Sequence, residues 1–418
     1  MTTSTLERTA AWTPRQIDAL TQAILGRDGS FFAADWAAQE AAVRNLLSGS
    51  RILVVGGAGS IGAEVVRQLV RYEPARVVVV DVGENGLAEL VRSIRSAVAF
   101  EFAGELICLP LDFGGRLGLA AISENGPYEL ALNFAALKHV RSEKDVFSLL
   151  AMLDTNVVKF HLLLERLARD GCGTAFSVSS DKAVRPASMM GASKRLMEQV
   201  LLGWPGAGIG RVCSARFANV AFSAGSLLEA FLHRLDRGEP LAGPSDVRRY
   251  FISAQEAAQL CLLSAATARS GELFVPRSSA GLEATGFGRI AEIVVHHAGY
   301  EPAWYDTPSQ AKAAMCDDLP RGRYPCCFAP SDTAGEKPLE EFVGPDEQCD
   351  ASRFERIDVV TETSLAPADR LNAMLEQIGA WAGKGESGPA KAQVVSAIQS
   401  VVPDLHHVEA DHGLDEKM

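Results

Sequence analysis

One twelve-residue stretch constrains this chain more than any other: Arg51-Ile-Leu-Val-Val-Gly-Gly-Ala-Gly-Ser-Ile-Gly62. Ile52 to Val55 read as a buried strand, Gly56, Gly59 and Gly62 as a tight turn, and residues 63–72 as a helix. Strand, glycine turn and helix N-terminus in that order make a pyrophosphate site. Missing side chains let the backbone approach the phosphates, and exposed N–H groups with the helix dipole favour negative charge. Asp81 closes the next apolar run, Val77 to Val80, where a carboxylate reaches a dinucleotide ribose. Val82 and Gly83 follow with no Arg or Lys to neutralise a 2′-phosphate, which the carboxylate repels. The cofactor expected is NAD rather than NADP.

From Arg51 onward the chain alternates strand and helix. Strand-like runs are Ile52–Val55, Val77–Val80, Glu105–Leu109, Glu129–Asn133, Thr174–Val178 and Arg211–Ala215, with helical patterns over 63–72, 85–98, 144–169 and 188–203. Such alternation predicts an α/β fold, a Rossmann-like doubly wound parallel sheet covered on both faces. The long helix over 144–169 places Leu149, Leu153, Val157, Phe160 and Leu164 on a core-facing stripe.

Four regions follow from this reading. Residues 1–50 form a helical N-terminal extension, with Thr13-Pro14 as cap and first turn and Ile17, Leu20 and Ile24 on one face. Residues 51–220 are the dinucleotide-binding domain, and 221–383 a mixed, loop-rich substrate lobe. Residues 384–418 are a linker, a helix near Val394–Val402 and a polar tail. The extension supplies apolar surface outside the nucleotide fold, so a homo-oligomer is expected.

Composition narrows the partners. The chain has 418 residues, 47% hydrophobic and 22% charged, with a net charge of −12, an ordinary globular balance that argues against nucleic-acid or anionic-membrane surfaces. No uninterrupted apolar run approaches the ~20 residues of a membrane span, and no signal-peptide pattern opens the chain, so a cytoplasmic protein is expected. The eight cysteines form no Cys-x-x-Cys, and neither His296-His297 nor His406-His407 has ligand spacing, so no metal is expected.

Three clusters sit where such a sheet places its active site, beyond the carboxyl ends of its strands. Asn133-Phe-Ala-Ala-Leu-Lys-His139 follows the fourth strand, with Ala135 and Ala136 small enough to lie against a cofactor. Ser179-Ser-Asp-Lys182 follows the fifth and brings hydroxyl, acid and amine into one turn. Met190-Gly-Ala-Ser-Lys194 opens a helix, its lysine one turn beyond its methionine. Taken singly, each reads as well as a surface turn or a solvated helix residue; their order behind the glycine turn favours a catalytic site.

These motifs, with Ala-Arg-Phe-Ala-Asn-Val220, Arg-Arg-Tyr-Phe251, Gly-Glu-Lys337 and the terminal Leu-Asp-Glu-Lys-Met418, resemble one family. It is the CapD-like polysaccharide-biosynthesis branch of the extended short-chain dehydrogenases/reductases, the bacterial UDP- or GDP-N-acetylglucosamine 4,6-dehydratases. The resemblance runs from about residue 45 to 345. Met190 stands where the family's Tyr-x-x-x-Lys has tyrosine, as in its Ser-Met-Lys subgroup. Methionine takes no proton, so another group must accept that of the sugar 4-hydroxyl.

The resemblance implies an internal elimination: hydride leaves C4 for the nicotinamide, water is lost across C5 and C6, and hydride returns to C6. Asp181 is then the acid at the C6 hydroxyl, Lys182 the base at C5 and Ser180 the partner of the 4-hydroxyl. Lys194 holds the nicotinamide ribose beside Met190. Further cofactor contacts implied are Gly56, Gly59, Ser60, Ile61, Gly62, Asp81, Asp112, Ala135, Ala136 and Lys138. Lys138, His139, Asn219, Arg249 and Glu336 are implied on the nucleotide sugar, and a single base, Lys182, implies retention at C5. A nucleotide-sugar epimerase and a non-catalytic dinucleotide-binding regulator remain as alternatives. Ser180-Asp181-Lys182 argues against both, since neither needs an acid–base pair for dehydration.

Overall fold

The computed structural model describes residues 12–98, 100–138, 143, 145–331, 333, 335–383 and 388–407. Two helices, α1 (Pro14–Leu25) and α2 (Ala33–Leu47), precede a regular alternation. It runs β1 (Arg51–Val55), α3 (Ser60–Leu69), β2 (Arg76–Asp81), α4 (Glu84–Arg95), β3 (Glu105–Pro110), α5 (Arg116–Asn125) and β4 (Tyr128–Asn133). A long helix follows, α6 (Val146–Leu153) and α7 (Lys159–Asp170) joined by a π-helical turn, Asp154–Val158. Then come β5 (Cys172–Ser180), α8 (Met189–Leu202) and β6 (Ile209–Phe217). β1 and β2 are rich in β-branched residues, and β1, β2 and β5 are buried along most of their length, as both-face coverage requires.

The second half adds β7 (Asn219–Val220), α9 (Leu227–Arg237), β8 (Leu241–Pro244), β9 (Arg248–Ile252), α10 (Ala254–Thr267), β10 (Leu273–Pro276), β11 (Ala284–Gly286) and α11 (Phe287–His297). Next are β12 (Glu301–Trp304), α12 (Pro308–Asp318), β13 (Arg323–Ala329), β14 (Gln348–Asp350), β15 (Ile357–Glu362), α13 (Ala368–Ala382) and α14 (Lys391–Gln399). Among the described residues, nine strands form one sheet in the order β14-β15-β10-β6-β5-β4-β1-β2-β3. From β3 to β10 every pairing is parallel, and β15 and β14 finish the edge antiparallel. Strand order reverses between β1 and β4, and that switch point is where an open α/β sheet leaves its crevice. Two small sheets, β11-β9-β7 and β12-β13-β8, build the lobe above it.

Three expectations are qualified here. The helix expected over 144–169 is present as Val146–Asp170, with a π turn at Asp154–Val158 that widens it by one residue around Asn156, which is fully buried. The same Val146–Asp170 helix has 25 residues, and an 18-residue window within it has mean hydropathy 1.4, long and apolar enough by length and composition to cross a membrane. The expectation that no apolar run approached that length stands for unbroken runs, because Asp154, Asn156, Lys159 and His161 interrupt this helix. Its Leu149, Leu153, Phe160 and Leu164 pack in the core beneath β1, β4 and β5.

The third qualification concerns the N-terminal helices, whose apolar faces are in part covered by their own chain. Leu20 and Ile24 of α1 pack on Phe287, Ile290 and Val294 of α11, and α2 lies against α10. Buried Asp35 accepts from the backbone N–H groups of Glu355 (2.6 Å) and Arg356 (2.8 Å), and Arg27 pairs with Glu256 at 2.8 Å. Part of the apolar surface of this extension is therefore covered within the chain.

Candidate active site

The glycine turn is built for close approach. Gly56 sits at φ 78°, and a Cβ there would lie 2.4 Å from the Ala135 nitrogen, so only glycine lets the turn meet the loop after β4. A Cβ at Gly62 would lie 2.3 Å from the Gly56 oxygen, which binds α3 tightly to the turn. Gly59 caps α3 without a side-chain bond, and a Cβ there would meet only the Gly56 oxygen at 3.5 Å. The first turn of α3, Ser60, Ile61 and Gly62, thus has no side-chain cap, the arrangement a pyrophosphate completes. Asp81 accepts from the Ala58 N–H (2.9 Å) and the Gly83 N–H (2.8 Å), which fixes its carboxylate beside the turn.

Asp112 is held by Lys159 at 2.7 Å and by the Gly114 N–H, so its carboxylate is already engaged within the protein. The loop carrying Ala135, Ala136 and Lys138 is pinned from below. Asn156 accepts from the Leu137 N–H (2.8 Å) and donates to the Leu137 carbonyl and to Ser193 Oγ (both 2.9 Å). Sequence reasoning missed Asn156; its one signal is a polar residue inside an apolar helix. Lys138 is exposed at the lip of this loop, and His139 lies outside the described residues.

The second cluster begins where β5 ends. Ser180 Oγ donates to Asp181 Oδ1 (2.8 Å) and accepts the Lys182 N–H (3.3 Å), closing a short 3-10 turn. Lys182 Nζ donates to Asp181 Oδ1 (3.0 Å) and to Asn219 Oδ1 (3.3 Å). Asp181 is 1% exposed, and its Oδ2 has no hydrogen-bond partner among the described residues. Below the turn, Ser179 Oγ donates to Glu198 (2.5 Å), which is gripped by buried Arg216 at 2.6 and 2.7 Å. Burial pushes the Glu198 carboxyl up, but Arg216 and Arg195 more than offset it and hold it below the ordinary range.

Helix α8 brings the third cluster. Met190 and Lys194 are both buried, and Lys194 Nζ lies 3.5 Å from the Val178 carbonyl. Burial, reinforced by Lys138 and opposed by Glu198, lowers the Lys194 pKa to about 8. Lys182, Met190, Arg249 and Glu336 line one small cavity of about 80 Å³. Lys182, Asn219, Arg249 and Glu336 also line a larger cavity of about 680 Å³ that runs under the lobe to Leu227, Arg234 and Phe287. Four residues expected from separate motifs therefore share a single cleft, on the scale of a small-molecule site. Arg249 and Glu336 meet each other at 3.2 Å, and Arg249 also donates to the Lys337 carbonyl at 2.8 Å. They are one braced pair rather than two free ligands.

Fold and site together define a Rossmann-type protein with a cleft of mixed polar and apolar lining at the carboxyl ends of its central strands. The chain belongs to the polysaccharide biosynthesis protein family, whose model matches residues 52–362. It is 31% identical over 239 residues to an uncharacterised membrane protein of Methanocaldococcus jannaschii, covering 56% of this chain and 68% of that one. It is 27% identical over 266 residues to the probable polysaccharide biosynthesis protein EpsC of Bacillus subtilis, covering 62% of this chain but 42% of EpsC. A UDP-N-acetylglucosamine 4,6-dehydratase (inverting) of Campylobacter jejuni is 23% identical over 238 residues, with 56% and 68% covered. Among solved structures, Pen from Bacillus thuringiensis superposes with TM-score 0.59 at 17% identity, over 76% of this chain and 89% of that one. DesIV, the dTDP-glucose 4,6-dehydratase of Streptomyces venezuelae, gives 0.52 at 20%, over 70% and 88%. At these identities the two structures establish the shared fold.

Proposed function

We propose that the chain is a nucleotide-sugar 4,6-dehydratase that uses NAD and converts UDP- or GDP-N-acetylglucosamine to the 4-keto-6-deoxy sugar, within surface-polysaccharide or related glycan biosynthesis. The observation that carries this reading is the Asp181–Lys182 pair, seated at a strand end and opening through Lys182 into the cleft with Asn219, Arg249 and Glu336. Elimination of water needs one acid and one base within reach of adjacent carbons. The structure of DesIV was solved with NAD and TYD bound, and the uncapped first turn of α3 with Asp81 beside it fits the same dinucleotide here.

NAD held at the first turn of α3 and Asp81 would supply the hydride acceptor for C4 and the donor for C6. The rest falls to the chain's own residues. Lys194, its amine at a pKa of about 8, holds the ribose and moves a proton near neutrality more readily than an ordinary lysine. Lys182 and Asp181 share a hydrogen bond, so proton transfer within the pair yields a neutral amine and a carboxylic acid. The amine removes the C5 proton, and the acid gives its proton to the departing C6 hydroxyl. Ser180, hydrogen-bonded to Asp181, passes the 4-hydroxyl proton to solvent as hydride leaves C4. Lys182 returns its proton to C5 as hydride reaches C6, and the Asp181–Lys182 pair recovers one proton from solvent. Buried Met190 contributes shape without a proton. With one base acting on one face, the C5 configuration is retained.

The test is incubation of the purified chain with each nucleotide sugar, followed by mass spectrometry. A product lighter by one water supports the reading. Isomerisation without loss of mass favours an epimerase instead.

A further inference from the structure

Residues 391–407, beyond the family-matched residues 52–362, return to α8. Val401 and Leu405 pack in the same core as Met197 and Leu201 of α8, and Gln199 Nε2 donates to the Val401 carbonyl at 3.4 Å. The His406 N–H donates to the Pro186 carbonyl (2.9 Å), in the loop between the second cluster and α8. His407 Nε2 then lies 3.6 Å from Glu143 Oε2, the two side chains only 6% and 11% exposed. The other oxygen of the same carboxylate, Oε1, accepts the Met190 N–H at 2.9 Å.

Glu143 thus does two things at once. It satisfies an N–H in the first turn of α8 that the helix itself leaves unpaired, where a negative charge is also favoured by the helix dipole. It also faces the imidazole of the returning C-terminal segment. The other first-turn bond, Ser188 Oγ with the Gly191 N–H at 3.1 Å, is local to the helix. Glu143 is therefore the element through which a distant part of the chain can set where Met190 and Lys194 stand.

We propose that residues 391–407 are a clamp on the active site, and that His407 is a positioning residue which, through Glu143, fixes the Met190 end of α8. His407 acts through another side chain rather than on the reacting atoms. The link to turnover rests on the proposed dehydratase reading; the link to helix order does not.

The experiment compares wild type, His407→Ala and His407→Gln in the full chain. Amide hydrogen exchange of a peptide spanning Ser188 to Met197 is measured with kcat, KM and thermal midpoint on UDP- and GDP-N-acetylglucosamine. His407→Ala is expected to speed exchange in that peptide and lower kcat about tenfold or more, since small misplacements of catalytic groups cost that much. KM and midpoint stay near wild type, and His407→Gln recovers most of the loss. Exchange and kcat both at wild-type levels overturn the proposal. So does a kcat loss accompanied by general loosening of the whole chain. If His407→Ala does not fold, Glu143→Gln keeps the acceptor for Met190 and removes the charge facing His407; unchanged exchange in that variant overturns the proposal too. If wild type turns over neither sugar, the dehydratase reading fails, and the exchange data still decide the clamp.

Discussion

Lys194→Met should make the protein more stable while removing its function. Lys194 is buried, with a pKa lowered to about 8 chiefly by loss of solvent and next by Lys138. An unfolded lysine titrates at ~10.4, so holding this one charged in the native state costs about 3 kcal/mol at ~1.4 kcal/mol per pH unit. Methionine keeps the length of the stem and discards the ammonium, and among the described residues the bond forfeited is a 3.5 Å contact with the Val178 carbonyl. The sign of the pH dependence follows from the depressed native pKa. Below about pH 8 both states carry the proton, and the full cost is present. Between about 8 and ~10.4 only the unfolded chain holds it, so wild-type stability gains ~1.4 kcal/mol per pH unit relative to the variant. Urea unfolding of both proteins without cofactor, at pH 7 and pH 9.5, measures this. The variant should lead by about 2–3 kcal/mol at pH 7, and the gap should shrink to about 1 kcal/mol or less at the higher pH. A variant less stable than wild type at pH 7, or a gap indifferent to pH, would refute the reasoning.

Asp181→Asn should retain cofactor and nucleotide-sugar binding while turnover falls ~10²–10⁴-fold; a near-normal rate in a steady-state assay moves the acid role elsewhere. Gly56→Ala places a side chain at φ 78° and 2.4 Å from the Ala135 nitrogen, with ~1–2 kcal/mol of backbone cost alone. It should weaken NAD binding at least about tenfold by calorimetry, and wild-type affinity would contradict the cradle. Asp81, fixed by two backbone N–H groups, should make NADP bind far more weakly than NAD; equal affinity in the same titration removes its assigned role. NMR of the fresh product in heavy water should show retention at C5, although the Campylobacter jejuni relative is named as inverting; an inverted sugar at the earliest time point ends the single-base account.

The Rossmann half was legible because its signals are local and periodic: β-branched strands, a glycine turn, helices of regular spacing. Strands came out longer than their apolar cores, as with β5, expected over Thr174–Val178 and observed over Cys172–Ser180, since polar ends of a buried strand carry no periodic mark. Helix α13 went unassigned. So did the burial of α1 and α2, because an amphipathic face records that it must be covered and not by what. Residues of the cleft were found through motifs, whereas their supports were not. Asn156, Glu143 and the Glu198–Arg216 pair are set by contacts far apart in the chain, and each alone reads as an ordinary polar residue. The mutual bracing of Arg249 and Glu336 belongs to the same class.

The central claim is that hydride moves from C4 to C6 of one sugar while water is lost. N-acetylglucosamine nucleotides deuterated at C4, incubated with the purified chain, test it in one experiment. The account predicts a product lighter by one water with the deuterium in the new C6 methyl group, seen by mass spectrometry and NMR. Deuterium still at C4 of an isomerised sugar of unchanged mass would contradict it.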